Sequence, residues 1–235
     1  MKHKVDSAVI MAAGRAVRML PLAKTVHKSM LTVRGEVLIE RQIRQLREAG
    51  VPEVVVVCGH LKEQLSYLEK EFGAVIVENK EYLTMNNCGS LLAAEPWLGN
   101  SFICSCDNYF AINPFESCVS DAYYSVLYSE GRTEEWCVET DEEGYISRVE
   151  VGGSDRFYMM GHVFWTECFS KRFMELVKTN YGTHTVREQV WEALYSQHLD
   201  ELKLKTRIYG QNDIFEIDCP EDLKRIEGID MNGHE

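Results

Sequence analysis

The stretch AVIMAAGRAVRMLPLAKTVHKSML, running from Ala8 to Leu31, decides how the rest of the chain is read. It opens with Ala8-Val9-Ile10-Met11, an apolar run short enough and bare enough of charge for a buried parallel strand. The run breaks at Ala12-Ala13-Gly14, three residues with little or no side chain, which let backbone pass close to a ligand. Cations follow at Arg15, Arg18, Lys24 and Lys28, with His27 beside the last. Bare backbone N–H groups after a strand, followed by positive side chains, make a place for polyphosphate. The same residues admit a plainer reading, in which the small residues allow close helix packing and the cations are solvated. The stretch is neither a Walker loop, since no Gly-Lys-Ser/Thr follows, nor the dinucleotide fingerprint, whose glycine pattern is absent.

The chain of 235 residues is expected to form one domain over residues 1–231, with 232–235 as a disordered tail. Its 45% apolar residues are ample for a sizeable core. A net charge of −12, from 25 cationic and 37 anionic side chains, argues against nucleic acid or an anionic membrane as partner. A phosphate substrate would need a local positive island, which the cations between Arg15 and Lys28 supply. No apolar stretch approaches the roughly 20 residues needed to span a bilayer, and the first residues lack the apolar core of a secretory signal. The eight cysteines are scattered, and Cys104-Ser105-Cys106 has the wrong spacing for a zinc knuckle. Reduced, mostly buried thiols and a cytoplasmic location are expected.

Hydrophobic spacing predicts a helix over 36–49, a strand over 54–58, an amphipathic helix over 61–72 and a strand over 75–77. A polar turn, Thr84-Met85-Asn86-Asn87, precedes a helix over 89–97. A fourth buried strand, Phe102-Ile103-Cys104-Ser105-Cys106, then delivers Asp107 at its end. Asp107-Asn108 reads equally as a turn or helix cap. This alternation points to an α/β fold: a Rossmann-like, mixed, mainly parallel sheet flanked by helices, with ligands beyond the carboxyl ends of the strands. The second half carries short aromatic-rich strands at 123–128, 135–140, 145–151 and 157–165, which form a small antiparallel patch. Helices follow at 167–178 and 185–198, then strands at 202–209 and 214–218, then a helix opened by Pro220.

Several of these segments resemble nucleotidyltransferases that activate phosphorylated small molecules, a family similar to the sugar-phosphate nucleotidylyltransferases. The loop Ala12-Ala13-Gly14-Arg15-Ala16-Val17-Arg18-Met19 resembles the signature L-A-A-G-x-G-x-R-M. The His27-Lys28-Ser29-Met30 segment resembles the second motif, in the form used by bacterial choline-phosphate cytidylyltransferases. Asp107 matches the metal-binding aspartate, and Glu216-Ile217-Asp218 before a helix matches the late metal-binding acid. Glu135-Trp136 and Gly161-His162-Val163-Phe164-Trp165 resemble landmarks of the choline-phosphate branch. One departure stands out: the second loop glycine is Ala16, so the backbone there must avoid positive φ or carry strain.

The resemblance implies a mainly nucleotide-binding half over 1–118 and a mainly acceptor-binding half over 119–231. It implies transfer of CMP from CTP to phosphocholine, giving CDP-choline and pyrophosphate. Arg18, Lys28, Asp107 and Asp218 are the expected catalytic residues. Ala12, Ala13, Gly14, Arg15 and Arg18 would hold the triphosphate, and Asn86, Gly89 and Ser90 the base and ribose. Mg²⁺, a hard cation, would sit on Asp107, Asp218 and Glu216. Trp136, Tyr158, Trp165, Trp191 and Glu192 are expected to form an aromatic box for a trimethylammonium group. A monomer or homodimer is expected, without nucleic acid or membrane. Two alternatives stay open. One keeps the chemistry with 2-aminoethylphosphonate, phosphoethanolamine or a sugar 1-phosphate as acceptor; the other is a non-catalytic nucleotide-binding regulatory module.

Overall fold

The computed structural model describes residues 2–229; the tail expected at 232–235 lies outside the described residues. Val and Ile fill the first strands, so both faces of the sheet must be covered, and they are. Strands of three or more residues are labelled here in chain order. β1 (Ser7–Ala12), β2 (Val54–Cys58), β3 (Val75–Glu78) and β4 (Ser101–Ser105) come from the first half. A short β5 (Asn108–Phe110) follows. The second half supplies β6 (Tyr123–Tyr128), β7 (Arg132–Thr140), β8 (Ile146–Ser154), β9 (Phe157–Trp165), β10 (Lys205–Ile208) and β11 (Ile214–Glu216). The helices are α1 (Leu38–Glu48), α2 (Tyr67–Phe72), α3 (Cys88–Ala94), α4 (Glu167–Thr179), α5 (His184–Glu188), α6 (Trp191–Ser196) and α7 (Pro220–Gly228).

One nine-stranded sheet runs β8-β7-β9-β4-β1-β2-β3, with β6 pairing β9 and β10 off this path. β4, β1, β2 and β3 are parallel, in the register Ile10↔Val56 and Ile10↔Cys104. β9 joins antiparallel to β4. The chain steps from β1 to β2 and β3 on one side, then returns through α3 to β4 on the other. That reversal opens a crevice beyond the carboxyl ends of β1 and β4, where α/β sheets bind ligands. The expected mixed α/β architecture holds, and the antiparallel strands form a larger share of the sheet than a small patch.

Two apolar layers cover the sheet. One gathers Val9, Leu91, Trp165, Phe173 and Trp191 under α3, α4 and α6; the other gathers Ile10, Ile43, Leu68 and Phe164 under α1 and α2. Each fully buried side chain of this size contributes about 1.5–3 kcal/mol. Boundaries differ from the expectation where a polar contact overrides periodicity. The helix expected over 61–72 starts as a 3-10 turn because Leu61 takes φ 49°, and Gln64 is drawn to the backbone of Thr25 and His27. The helix expected over 185–198 breaks between α5 and α6, since the Trp191 N–H donates to the Asn87 side chain at 2.7 Å.

Candidate active site

β1 delivers Ala13 and Gly14 to the crevice, and β4 delivers Asp107 opposite them. They line a cleft of about 690 Å³ with Arg15, Arg18, Lys28, Asn86, Ser90 and Asp218. The loop departs from glycine at Ala16, which sits in the left-handed region at φ 46° and ψ 49°. The chain therefore carries the strain that the missing glycine would have avoided. His27, grouped in sequence with the cations, is buried and acts differently. Its Nδ1 accepts from the Ser29 backbone N–H at 3.2 Å, so Nε2 carries the proton and donates to the Ala12 carbonyl at 2.9 Å. Burial lowers its pKa, against the pull of that carbonyl. A neutral imidazole thus ties the loop after β1 to the turn holding Lys28.

Lys28 is 8% exposed and donates to Asp107 at 2.9 Å and Asp218 at 2.7 Å. Burial opposes its charge, but the two carboxylates outweigh burial and hold its pKa above the ordinary lysine value. Arg18 reaches the other Asp218 oxygen at 2.8 Å. One carboxylate oxygen each from Asp107, Glu216 and Asp218 lies within 4.8 Å of the others. Burial first, then Asp107 and Asp218, pushes Glu216 up to about 8. Ile214, two residues before Glu216, approaches β9 at Gly161, where a Cβ would meet its side chain at 3.0 Å.

Supporting residues were not legible from motif or spacing. Gln42 of α1 donates to the carbonyls of Ser105 at 2.9 Å and Asn108 at 2.7 Å, bracketing Asp107. Asp222 of α7 accepts from the backbone N–H groups of Asp218 and Cys219, both at 2.9 Å. The acid three residues after Cys219 at a helix start was the available signal, a capping box.

A second cavity of about 620 Å³ adjoins the first through Arg18 and Asp218. Its wall includes Glu135, Tyr158, Met160, Glu216, Asp222 and Arg225. Tyr158 lies where the acceptor was expected; the other four aromatic-box residues do not. Trp165 is fully buried and Trp191 is 1% exposed, both inside the α3/α4/α6 layer. Trp136 packs against that same layer. Glu192 sits behind the nucleotide cleft, accepting from the Tyr124 hydroxyl at 2.8 Å. Core burial of Trp165 and Trp191 corrects the aromatic-box expectation for those two; Trp136 and Glu192 are half-buried and do not line the second cavity. Indole burial on sheet and helix faces outweighs any gain from lining a polar cavity. Ala12 and Gly89 are also buried behind the cleft wall, and Lys24 is exposed outside it.

A glycine-containing loop, a lysine and converging carboxylates at a sheet reversal define a nucleotidyltransferase. Residues 8–189 match the MobA-like NTP transferase domain, and the chain belongs to that family. It is 36% identical to a 2-aminoethylphosphonate cytidylyltransferase from Lancefieldella rimae, over 94% of this chain and 92% of that protein. It is 28% identical to a choline-phosphate cytidylyltransferase from Streptococcus pneumoniae, over 96% and 98%. A solved structure of the CTP:phosphocholine cytidylyltransferase from Streptococcus pneumoniae superposes with a TM-score of 0.89, covering 96% of this chain and 98% of that one. Among the described residues, no helix is long and apolar enough to cross a membrane.

Proposed function

We propose that this chain transfers CMP from CTP to a small phosphonate or phosphate bearing a primary ammonium, releasing pyrophosphate, with 2-aminoethylphosphonate as the favoured acceptor. The observation that carries this reading is the wall of the second cavity. It offers the Glu135 carboxylate, outside the Asp107–Glu216–Asp218 cluster, beside a single well-placed aromatic, Tyr158, the other aromatic, Phe215, being buried in the core. A primary ammonium has N–H donors for carboxylates, whereas a trimethylammonium has none and needs aromatic faces. The 36% identical relative, named for 2-aminoethylphosphonate, supports the same choice.

The acceptor's phosphorus-bound oxygen attacks the α-phosphorus of CTP, and the bond to pyrophosphate breaks. No covalent enzyme intermediate is needed; the work is alignment and charge neutralisation. Arg18 and Arg15 draw the β- and γ-phosphates, and the backbone of Ala13 and Gly14 donates to them. Lys28 lines the first cavity, is paired with the Asp218 that both cavities share, and meets charge as it grows on the transferring phosphoryl group. Asn86 and Ser90 face the base and ribose. The Asp107, Glu216 and Asp218 oxygens fit a hard cation: all three are carboxylates, and Asp107 Oδ1 is buried without a partner. Mg²⁺ bound there would polarise the α-phosphate as a Lewis acid.

The test is pyrophosphate release from CTP and UTP with Mg²⁺, using 2-aminoethylphosphonate, phosphoethanolamine and phosphocholine. The expected result is CTP preference and a higher kcat/KM for the primary amines. A higher kcat/KM for phosphocholine overturns the acceptor assignment and favours the second reading, which the Streptococcus pneumoniae relative supports. Silence with every pair overturns the enzyme reading in favour of a nucleotide-binding module.

A further inference from the structure

Glu192 is a carboxyl that the acceptor cavity does not use, yet the fold half-buries it and shields its oxygens. Its Oε1 accepts from Tyr124 at 2.8 Å, while Oε2 is buried and has no hydrogen-bond partner. The Asn87 side chain lies against the same carboxyl. Burying a carboxyl costs free energy that an apolar residue would avoid, so its neighbours are worth tracing.

They lead to the nucleotide cleft. Residues 84–87 are laced to residues 187–191 by four hydrogen bonds. The Asn86 backbone N–H donates to the Arg187 carbonyl at 2.8 Å, and the Asn86 side chain to the Glu188 carbonyl at 3.1 Å. Arg187 donates back to the Thr84 carbonyl at 3.2 Å. The Trp191 N–H donates to Asn87 Oδ1 at 2.7 Å. That last bond fixes how the Asn87 amide is turned: its oxygen is taken, so its N–H₂ group needs an acceptor, and the Glu192 carboxylate is the one beside it. Tyr124 stacks on Trp191 with centroids 5.7 Å apart and planes 10° apart, which closes the arrangement from below. Asn86, Asn87, Arg187 and Glu188 all line the cleft.

We infer that Glu192 is a positioning residue for the nucleotide, holding Asn87 and the 84–90 wall in the shape that the pyrimidine and ribose meet. The inference rests on the CTP reading above. It assigns the broken helix between α5 and α6 a purpose, since an unbroken helix would leave Asn87 without the Trp191 N–H. It also gives the second half of the chain a share in the nucleotide site.

The experiment is calorimetric titration of the full chain with CTP, alongside steady-state KM values for CTP and for 2-aminoethylphosphonate. Glu192→Gln keeps the shape but turns an N–H₂ group toward donors, and is expected to weaken CTP binding about tenfold. The KM for the acceptor should stay within twofold. Tyr124→Phe keeps the ring stack and should weaken CTP about threefold; it carries the test if Glu192→Gln does not fold. In an Asn87→Ala background, Glu192→Gln should add less than twofold, because its route to the nucleotide is already gone. Unchanged CTP binding, an equal loss for both substrates, or a full tenfold loss in the Asn87→Ala background overturns the inference. If the unaltered chain binds no CTP, the failure lies with the CTP reading instead.

Discussion

Glu135 and Trp136, consecutive on β7, serve opposite faces of the sheet. Glu135 lines the cavity next to Asp218, while Trp136 packs with the core layer that holds Trp165 and Trp191. Burial and the nearby Asp218 raise the Glu135 pKa, which suits a carboxylate awaiting a cation. Read as one motif, the pair looks like an aromatic cage. Read as a strand, it is a cavity-lining residue and a core-packed residue side by side.

Substitutions separate the two. Glu135→Gln is expected to raise the KM for 2-aminoethylphosphonate about tenfold, the loss of one charge-assisted hydrogen bond, with the KM for CTP within twofold. Trp136→Phe should leave both KM values within twofold and lower the melting temperature modestly. Steady-state kinetics checks this, and a selective rise in acceptor KM from Trp136→Phe would restore the aromatic cage.

The sequence made the first half legible because charge-free runs at 8–11, 54–58, 75–77 and 102–106 have few alternatives to buried parallel strands. Asp107 followed from strand order, and Lys28 and Asp218 from motif form. The acceptor half resisted for a physical reason. A tryptophan contributes similarly whether it stacks on a ligand or fills a core, and only the face of its strand or helix distinguishes the two. Trp136, Trp165 and Trp191 all fell on the core side. Gln42 acts through backbone groups of a distant segment, which no local pattern announces, whereas Asp222 holds the backbone of Asp218 and Cys219 through a local capping box.

Lys28 holds Asp107 and Asp218 together and lines the cleft. Lys28→Met leaves two close carboxylates without their shared cation, at a cost of ~3 kcal/mol in folding stability. Activity should fall at least 100-fold, as when a preorganised charge is removed from a transition state. Mg²⁺ should then raise the melting temperature of the variant more than that of the unaltered chain. Thermal unfolding with and without Mg²⁺ checks the pair of effects; equal shifts in both proteins would separate Lys28 from the carboxylates.

Ala16→Gly is expected to stabilise. Alanine at φ 46° carries about 1 kcal/mol or more of left-handed strain. Glycine removes it but adds roughly 0.4–1 kcal/mol of unfolded-chain entropy. The net gain is ~0.5 kcal/mol, readable in urea unfolding as a higher midpoint at constant slope. A lower midpoint would mean that the Ala16 methyl, in the cluster with Met19 and Leu38, contributes more than its backbone costs.

Stability of the metal-free chain should depend on pH with a definite sign. Burial lifts Glu192 to about 7, and burial with Asp107 and Asp218 lifts Glu216 to about 8. In the folded chain each keeps a proton that the unfolded chain loses near the ordinary glutamate value of 4.5, so stability drains as pH rises through the folded values. The buried histidines act in the opposite direction. His27 is lowered by burial, and His162 is lowered to about 3 by burial and Arg207, so both cost stability only on acidification below the ordinary histidine value of 6.5. Above that value they fall silent and the two glutamates prevail. The melting temperature is therefore expected to fall from about pH 6.5 to 8.5. Glu192→Gln should flatten the earlier part of that fall, while a saturating Mg²⁺–nucleotide mixture should flatten the later part by giving Glu216 a cation. A melting temperature that rises over this range would mean that these carboxyls are ionised in the folded chain at neutral pH.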